Sequence, residues 1–351
     1  VTFGGRLTPA QRAELTRRGQ QQFRRQLATE AEAEARRLQK AYREQIQRLN
    51  AQIGLPSLAE SGSLYSARSI ERAREQVTAA LNGLTAEIQA RAREAEAGGI
   101  AIGTRAGAEA MTGSIGTAFN QPSIEQIRSL VGYVDSPAFR AAMDIYGTYH
   151  GEAVADIILS GASQGVDPIK TARLVAKYTK DVPLFDALRT VRTVQLWSAR
   201  QGSHEIFRAN ADVLSGWMWS AARDGHVCMS CRAQDGKIFP LNATLNDHHL
   251  GRCAPVPVSR SWKELGFEGG SEVLDGYETG VQRFEAMTDA EQIDAMGKAA
   301  WQAWKDGRFN LDQYAQPYSN PIYGEMMGEA SLTQLVGADV AQMYVQQARA
   351  A

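Results

Sequence analysis

At 351 residues the chain exceeds what one hydrophobic core usually serves, and an apolar share of 44% with 22% charged residues excludes a disordered chain and points to two or three globular units. The longest apolar stretch, AVADIILSGA at 153–162, holds Asp156, far from the roughly 18 to 20 uninterrupted apolar residues of a membrane span, and VTFGGRLTPAQR lacks the apolar core of a secretory leader. The net charge of −1 hides an asymmetry: residues 1–100 carry 16 Arg/Lys against 11 Glu, and 251–351 carry 8 basic against 14 acidic residues.

Residues 8–53 read as one long helix, with Thr8 as N-cap, Pro9 at the first helical position and Glu14 in the early turns. Leu15, Phe23, Leu27, Ala31, Ala35, Leu38, Tyr42, Ile46, Leu49 and Ile53 recur three or four apart, a narrow stripe suited to one partner helix. The turn-forming loop 54–63 leads to a second helix at 66–97, with Ile70, Val77, Leu81, Leu84 and Ile88 at heptad-like positions. An antiparallel hairpin over 1–97 is therefore expected. Its basic excess suits a mixed-sign solvated face in the first place and an anionic partner in the second. The Gly/Ala/Ser/Thr-rich stretch 98–121 reads as a flexible connector with a short helix near Ala106–Met111.

Wider apolar faces predict a helical bundle over 122–214, with helices near 123–133, 136–162, 167–179 and 183–213, the last two divided at Asp181 and Pro183. At Ser215 the period changes. GWMWSAA (216–222), KIFPL (237–241) and APVPV (254–258) read as short strands bounded by Asp-Gly turns, making a β unit over 215–260. The remaining 261–351 reads as a helical C-terminal segment, with helices near 288–306 and 331–348.

All three cysteines fall inside the β unit. Cys228 and Cys231 make a C-x2-C knuckle, and Cys253 follows just after His248 and His249. An odd cysteine count at metal-ligand spacing fits a reducing compartment and a cytosolic product. A knuckle aims two sulfurs at one centre, and a returning His/Cys pair completes the tetrahedral Cys3His set that zinc prefers. Such a closed site makes the metal a structural staple for a unit too small to bury much core. Spacing alone leaves His248 and His249 equivalent, makes His226 a weaker alternative, and allows Asp247 either to ligate or to orient a histidine.

Trp217 and Trp219 alternate on one strand face and read as packing over the site. Arg223, Arg232 and Arg252 surround the cluster as phosphate ligands or as ordinary surface charge, and Met326 and Met327 read as core. No Walker loop, G-x-S-x-G elbow, H-E-x-x-H or dinucleotide fingerprint is present. Asp247-His248-His249 matches the Asp-His core of ββα-metal nucleases, but GRCAPVPV follows it where that motif needs a helix.

The run MWSAARDGHVCMSCRAQDGKIFPL, followed by HHLGRCAPVPV, resembles the Mu F-like minor head proteins of tailed bacteriophages, also called head morphogenesis proteins. Their pattern has a Trp-ended strand, an Asp, the C-x2-C knuckle, an Asp-Gly-Lys-like turn, a histidine, and Cys-Arg-Cys before a Pro-Val strand. Gln234 stands at a usually apolar place, and Gly251 stands where the first cysteine of Cys-Arg-Cys would be. Alignment through Arg252-Cys253 selects His248, giving Cys228, Cys231, His248 and Cys253 as the implied zinc ligands. ARLVAKYT and RTVRTVQLWSARQGSHEIFRAN resemble the family's arginine-bearing helices upstream, and roughly half the chain is matched.

The resemblance implies a non-enzymatic virion component, made in the host bacterial cytoplasm and placed near the portal vertex for head assembly or genome delivery. It further implies contacts with portal, coat or scaffold subunits and, in places, packaged double-stranded DNA, with no membrane partner. The fold class expected is mainly α, with a small α+β zinc-binding unit.

Overall fold

The computed structural model describes residues 9–115, 119–261, 264, 277–320 and 323–350. In chain order the elements are α1 (Pro9–Ile53), α2 (Leu55–Glu60), α3 (Ala67–Ile115), α4 (Ile124–Val131), α5 (Pro137–Ser163), α6 (Pro168–Arg208), β1 (Leu214–Ser220), α7 (Met229–Gln234), β2 (Ile238–Phe239) and β3 (Ala254–Ser259). There follow α8 (Gly280–Glu285), α9 (Asp289–Met296), α10 (Lys298–Lys305), a 3-10 turn at Leu311–Tyr314, β4 (Ala315–Asn320), β5 (Gly324–Glu329), α11 (Leu332–Val336) and α12 (Ala338–Ala350). The protein is thus mainly helical with a few short antiparallel strands. Two compact units share the long helices: one holds Leu27–Gly99 and Gly132–Gln195, the other Val1–Gln26, Ile100–Val131 and Leu196–Ala351.

In the first of these units, α1 and α3 run antiparallel. Arg37 pairs with Glu94 at 3.1 Å and Arg91 with Glu34 at 3.3 Å, while Gln45, further along, donates to the Ala80 carbonyl at 3.2 Å. Leu38, Leu49 and Ile53 of α1 are buried, as are Val77, Leu81 and Ile88 of α3. Hairpin and bundle residues lie in this same unit. Several hairpin arginines meet glutamates rather than standing unpaired, which suits a solvated mixed-sign face of modest energetic weight.

Pro183 sits inside α6, where the sequence predicts a break. A proline there supplies no N–H for the carbonyl four residues earlier, that of Thr179. The Tyr42 hydroxyl of α1 donates to that carbonyl instead, and Tyr146 of α5 donates to the Pro183 carbonyl at 2.5 Å. The Tyr42 hydroxyl thus replaces the missing intrahelical donor, and the two expected helices merge into α6.

The other unit contains a three-stranded antiparallel sheet in the order β2-β1-β3, with Trp217 opposite both Phe239 and Pro257. Trp217 and Trp219 are buried on one face with Ile206, Phe207, Leu245, Cys231 and Cys253. Met218 points the other way, toward Val256, Val258 and Tyr277, as strand alternation requires. Trp217 stacks on Phe239 at 4.7 Å and donates its indole N–H to the Pro240 and Ala243 carbonyls. A separate cluster of Phe284, Ala303, Phe309, Tyr314 and Tyr344 packs against Met229 and Ala233 of α7.

Several expectations need correction. The glycine-rich stretch read as a connector from 98 is helical to Ile115; a Cβ on Gly103 would lie 1.8 Å from the Ala199 carbonyl oxygen, and one on Gly107 would lie 3.1 Å from the Ser203 Cα. Small residues there permit close helix packing, so their composition marks an interface and not a hinge. Thr8 and residues 116–118 lie outside the described residues, as do 262–263 and 265–276 of the expected C-terminal segment. The helix expected at 288–306 divides at Gly297 (φ 82°) and that at 331–348 at Gly337 (φ 85°), both in the left-handed region that favours glycine. Between the two expected helices the segment read as helical overall holds the β4–β5 hairpin, with Tyr318 opposite Met326. Met326 is buried, as expected.

Tyr42→Phe removes the donor to Thr179 and strands a buried carbonyl. The expected cost is about 1–3 kcal/mol in urea unfolding. Adding Pro183→Ala, which restores a backbone N–H, should recover part of that loss; an unchanged midpoint for Tyr42→Phe would refute the substitution of donors.

Candidate metal centre

The site is assembled from two short segments. At the first, Cys228 is the N-cap of α7, in extended conformation (φ −70°, ψ 163°), and its sulfur accepts the Cys231 amide at 3.3 Å. One helical turn therefore brings both sulfurs of the knuckle to the same side. Glu329 of β5 accepts the Met229 amide at 2.8 Å, holding the helix entry from outside.

The second segment runs from Leu245 to Cys253 and is tied to α6. His204 accepts the Leu245 amide through Nε2 at 3.1 Å; burial, then Arg208 and Arg200, lower its pKa to about 3, so it is the neutral imidazole an acceptor must be. One turn earlier, the buried Arg200 donates to the Cys253 carbonyl (3.0 Å), the Gly251 carbonyl (2.5 Å) and Asp247 Oδ2 (3.1 Å). Asp247 also accepts the His248 amide (2.9 Å) and the Cys253 amide (3.3 Å). Leu250 adopts φ 59°, a conformation costly for a side chain with Cβ, and the chain doubles back so that Cys253 enters β3. A Cβ on Gly251 would lie 2.1 Å from Asp247 Oδ2. No larger residue fits at that position without displacing the carboxylate.

These ties bring the ligand candidates together. His248 Nε2 lies 3.2 Å from Cys228 Sγ and 3.4 Å from Cys231 Sγ, and Asp247 Oδ1 lies 3.5 Å from Cys231 Sγ. Cys228, Cys231 and His248 form one triad of donor atoms within 4.8 Å of one another; Cys231, Asp247 and Cys253 form a second. Cys231 belongs to both. All three cysteines are free thiols. The cluster is able to hold a metal ion.

Orientation distinguishes the two histidines. His248 Nδ1 donates to the His249 carbonyl at 2.8 Å, which fixes the tautomer and leaves Nε2 as the lone-pair donor facing the sulfurs. The His249 ring instead stands edge-on to Tyr323 at 4.9 Å, with its Nε2 3.3 Å from the Asn320 side chain. The Trp219 indole N–H is buried without a hydrogen-bond partner among the described residues, in the same cluster as Cys253.

The protonation equilibria lean the same way. A hydrogen bond from Cys231, then the His248 imidazole, lower the Cys228 thiol to about 5 against opposing burial. Burial lowers the His248 pKa, but the Cys228 thiolate and Asp247 outweigh it and raise it to about 9. Donating to Cys228 raises Cys231, and burial raises Cys253. Both shifts favour a thiolate–imidazolium pair of Cys228 and His248, whose shared protons a soft cation would replace.

Of the predicted residues, Cys228, Cys231 and His248 converge directly, and Cys253 joins them through Cys231. Trp217 and Trp219 pack beneath, as expected, and Met327 packs against the same core. Sequence reasoning did not single out Arg200, His204 or Glu329. Arg200 and His204 stand one turn apart on α6 among Ser198, Gln201 and Ser203, so no local pattern set them apart. No helix of the described residues is long and apolar enough to cross a membrane. No family model, curated protein or solved structure matches the chain.

A pH series on metal-stripped protein tests the pair. Cys228, whose ordinary value is 9.0, contributes stability that is lost as pH falls through about 5; His248, ordinarily 6.5, contributes stability that is lost as pH rises through about 9. Between 6.5 and 9 the two effects cancel, since folded and unfolded pairs each bind one proton, so the urea midpoint should hold a plateau from neutral pH upward and fall as pH drops from 6.5 to about 5, where the unfolded pair binds one proton more. A midpoint unchanged between pH 7 and pH 5 would contradict the assigned pair.

Proposed function

We propose that this chain is a structural, non-enzymatic minor head protein of a tailed phage, of the Mu F-like kind, whose β unit is stapled by zinc on Cys228, Cys231, His248 and Cys253. The observation that carries the reading is the convergence of Cys228, Cys231 and His248 Nε2, with Cys253 grouped beside Cys231, within the run Trp217–Val258 that resembles that family. Thiolate and imidazole are the donors zinc selects over harder cations. Cys253 suits the fourth position better than Asp247, because the Asp247 oxygens already accept from Arg200 and two amides. Asp247 then acts on the ligands from outside, orienting His248 and Cys253.

With four protein donors, no position is left to activate water, which favours a staple over a catalyst. The ββα-nuclease alternative is weakened by the same geometry: the His248 Nε2 faces sulfurs, and β3 follows where that motif needs a helix. By this reading the protein is made in the host bacterial cytoplasm and resides in the head near the portal. It contacts portal, coat or scaffold subunits, and its arginine-rich N-terminal part lies close enough to packaged DNA to touch it.

Metal analysis of purified protein should find a single zinc per chain. Asp247→Asn should weaken zinc binding by about 10–100-fold, as loss of an outer-shell partner does, and Cys253→Ser by more. Mass spectrometry of purified particles should find the chain in mature heads; zinc without particle association would overturn the phage-head role and leave the staple standing.

A further inference from the structure

A cleft of about 310 Å3 lies beside α7 and is lined in part by Arg223, Arg232, Arg283, Asp224, Asp235 and Glu291. The formal charges cancel, but the hydrogen bonds do not. Asp235 accepts from the Ala221 amide (2.8 Å), the Tyr277 hydroxyl (2.9 Å) and Arg223 (2.9 Å). Asp224 gives both oxygens to Arg252, which is outside the lining, and also accepts the His226 amide. Glu291 caps its own helix, accepting from the Thr288 amide and hydroxyl.

The arginines are less fully used. Arg232 reaches only the Val227 carbonyl at 3.3 Å and the Met287 sulfur at 3.6 Å, and packs over the Phe284 ring; it has no carboxylate within ion-pair distance among the described residues. Arg283 has one loose contact, to Glu278 at 3.8 Å. Each guanidinium carries five N–H donors and no acceptor. Two like charges thus face one cleft in which Asp224 and Asp235 accept from other donors with both oxygens and Glu291 binds Thr288 through Oε2.

We propose that Arg232 and Arg283, with Arg223 beside them on the cleft wall, bind a phosphoryl oxyanion. A planar fork matches phosphate oxygens two at a time, and an anion between the forks both satisfies their donors and cancels their repulsion. A cleft of this size admits a phosphate group and its water, not a folded partner. The oxyanion is either a free phosphate or a backbone phosphate of nucleic acid. The site stands whether or not the cysteine cluster holds zinc and whether or not the chain resides in a phage head.

Calorimetric titration of the full-length protein with inorganic phosphate, and separately with a short DNA duplex, tests it. Saturable binding should weaken at least about tenfold in Arg283→Ala, the loss of one charge-assisted hydrogen bond. Arg232→Lys, keeping the charge but losing the fork, should weaken it in part. Arg36→Ala, exposed in the other unit, is the control and should bind as wild type. Arginine-dependent binding of phosphate assigns a free anion, and of duplex alone a nucleic-acid backbone. The proposal fails if folded wild-type protein binds neither ligand saturably, or if Arg283→Ala and Arg283→Gln, melting as wild type, bind both unchanged.

Discussion

A guanidinium buried in a protein interior must find acceptors for its donors, and Arg200 finds them in Asp247 and in the carbonyls of Gly251 and Cys253. Those three groups belong to a loop with little apolar surface and a residue in left-handed conformation, so nothing in the loop alone would choose this path. The ion pair is 3.1 Å long and its side chains are 5% and 1% exposed. A pair so buried adds little net stability, since desolvation offsets the attraction. It fixes geometry instead: any other course of the loop leaves a charge in the core without a partner.

The knuckle has a similar dependence. A helix of six residues does not persist in isolation, and α7 is held from two sides. Met229 and Ala233 pack into the cluster formed by Phe284, Phe309, Tyr314 and Tyr344, and Glu329 satisfies an amide of the first turn. The C-terminal elements are therefore part of the metal centre although none supplies a proposed ligand. A bound ion would join two segments that α6 and the C-terminal cluster have already oriented, and its binding energy would be spent on rigidity more than on search.

Successive residues of a helix point to different sides, and α7 uses this. Cys231 turns inward to the sulfurs while Arg232 turns to the cleft with Arg283. One short element thus carries both the cysteine cluster and the proposed phosphate site, with Asp235 at its C-terminus tying Ala221, just after β1, to Tyr277.

The sequence determined what local periodicity and spacing encode. The apolar stripes gave α1, α4 and α5 nearly to their ends, the alternating tryptophans gave β1 and its buried face, and the clustering of Cys228, Cys231, His248 and Cys253 located the centre. Tertiary structure decided the rest, because the deciding partners are distant in sequence. Tyr42 keeps α6 whole across Pro183; Ala199 and Ser203 explain glycines that looked like a hinge; Gly297 and Gly337 break helices whose apolar pattern runs straight through. His248 was separated from His249 by a single carbonyl that orients one ring. Arg200 is invisible to spacing rules for the same reason: its worth lies in three acceptors roughly fifty residues away, and only the folded chain brings them to it.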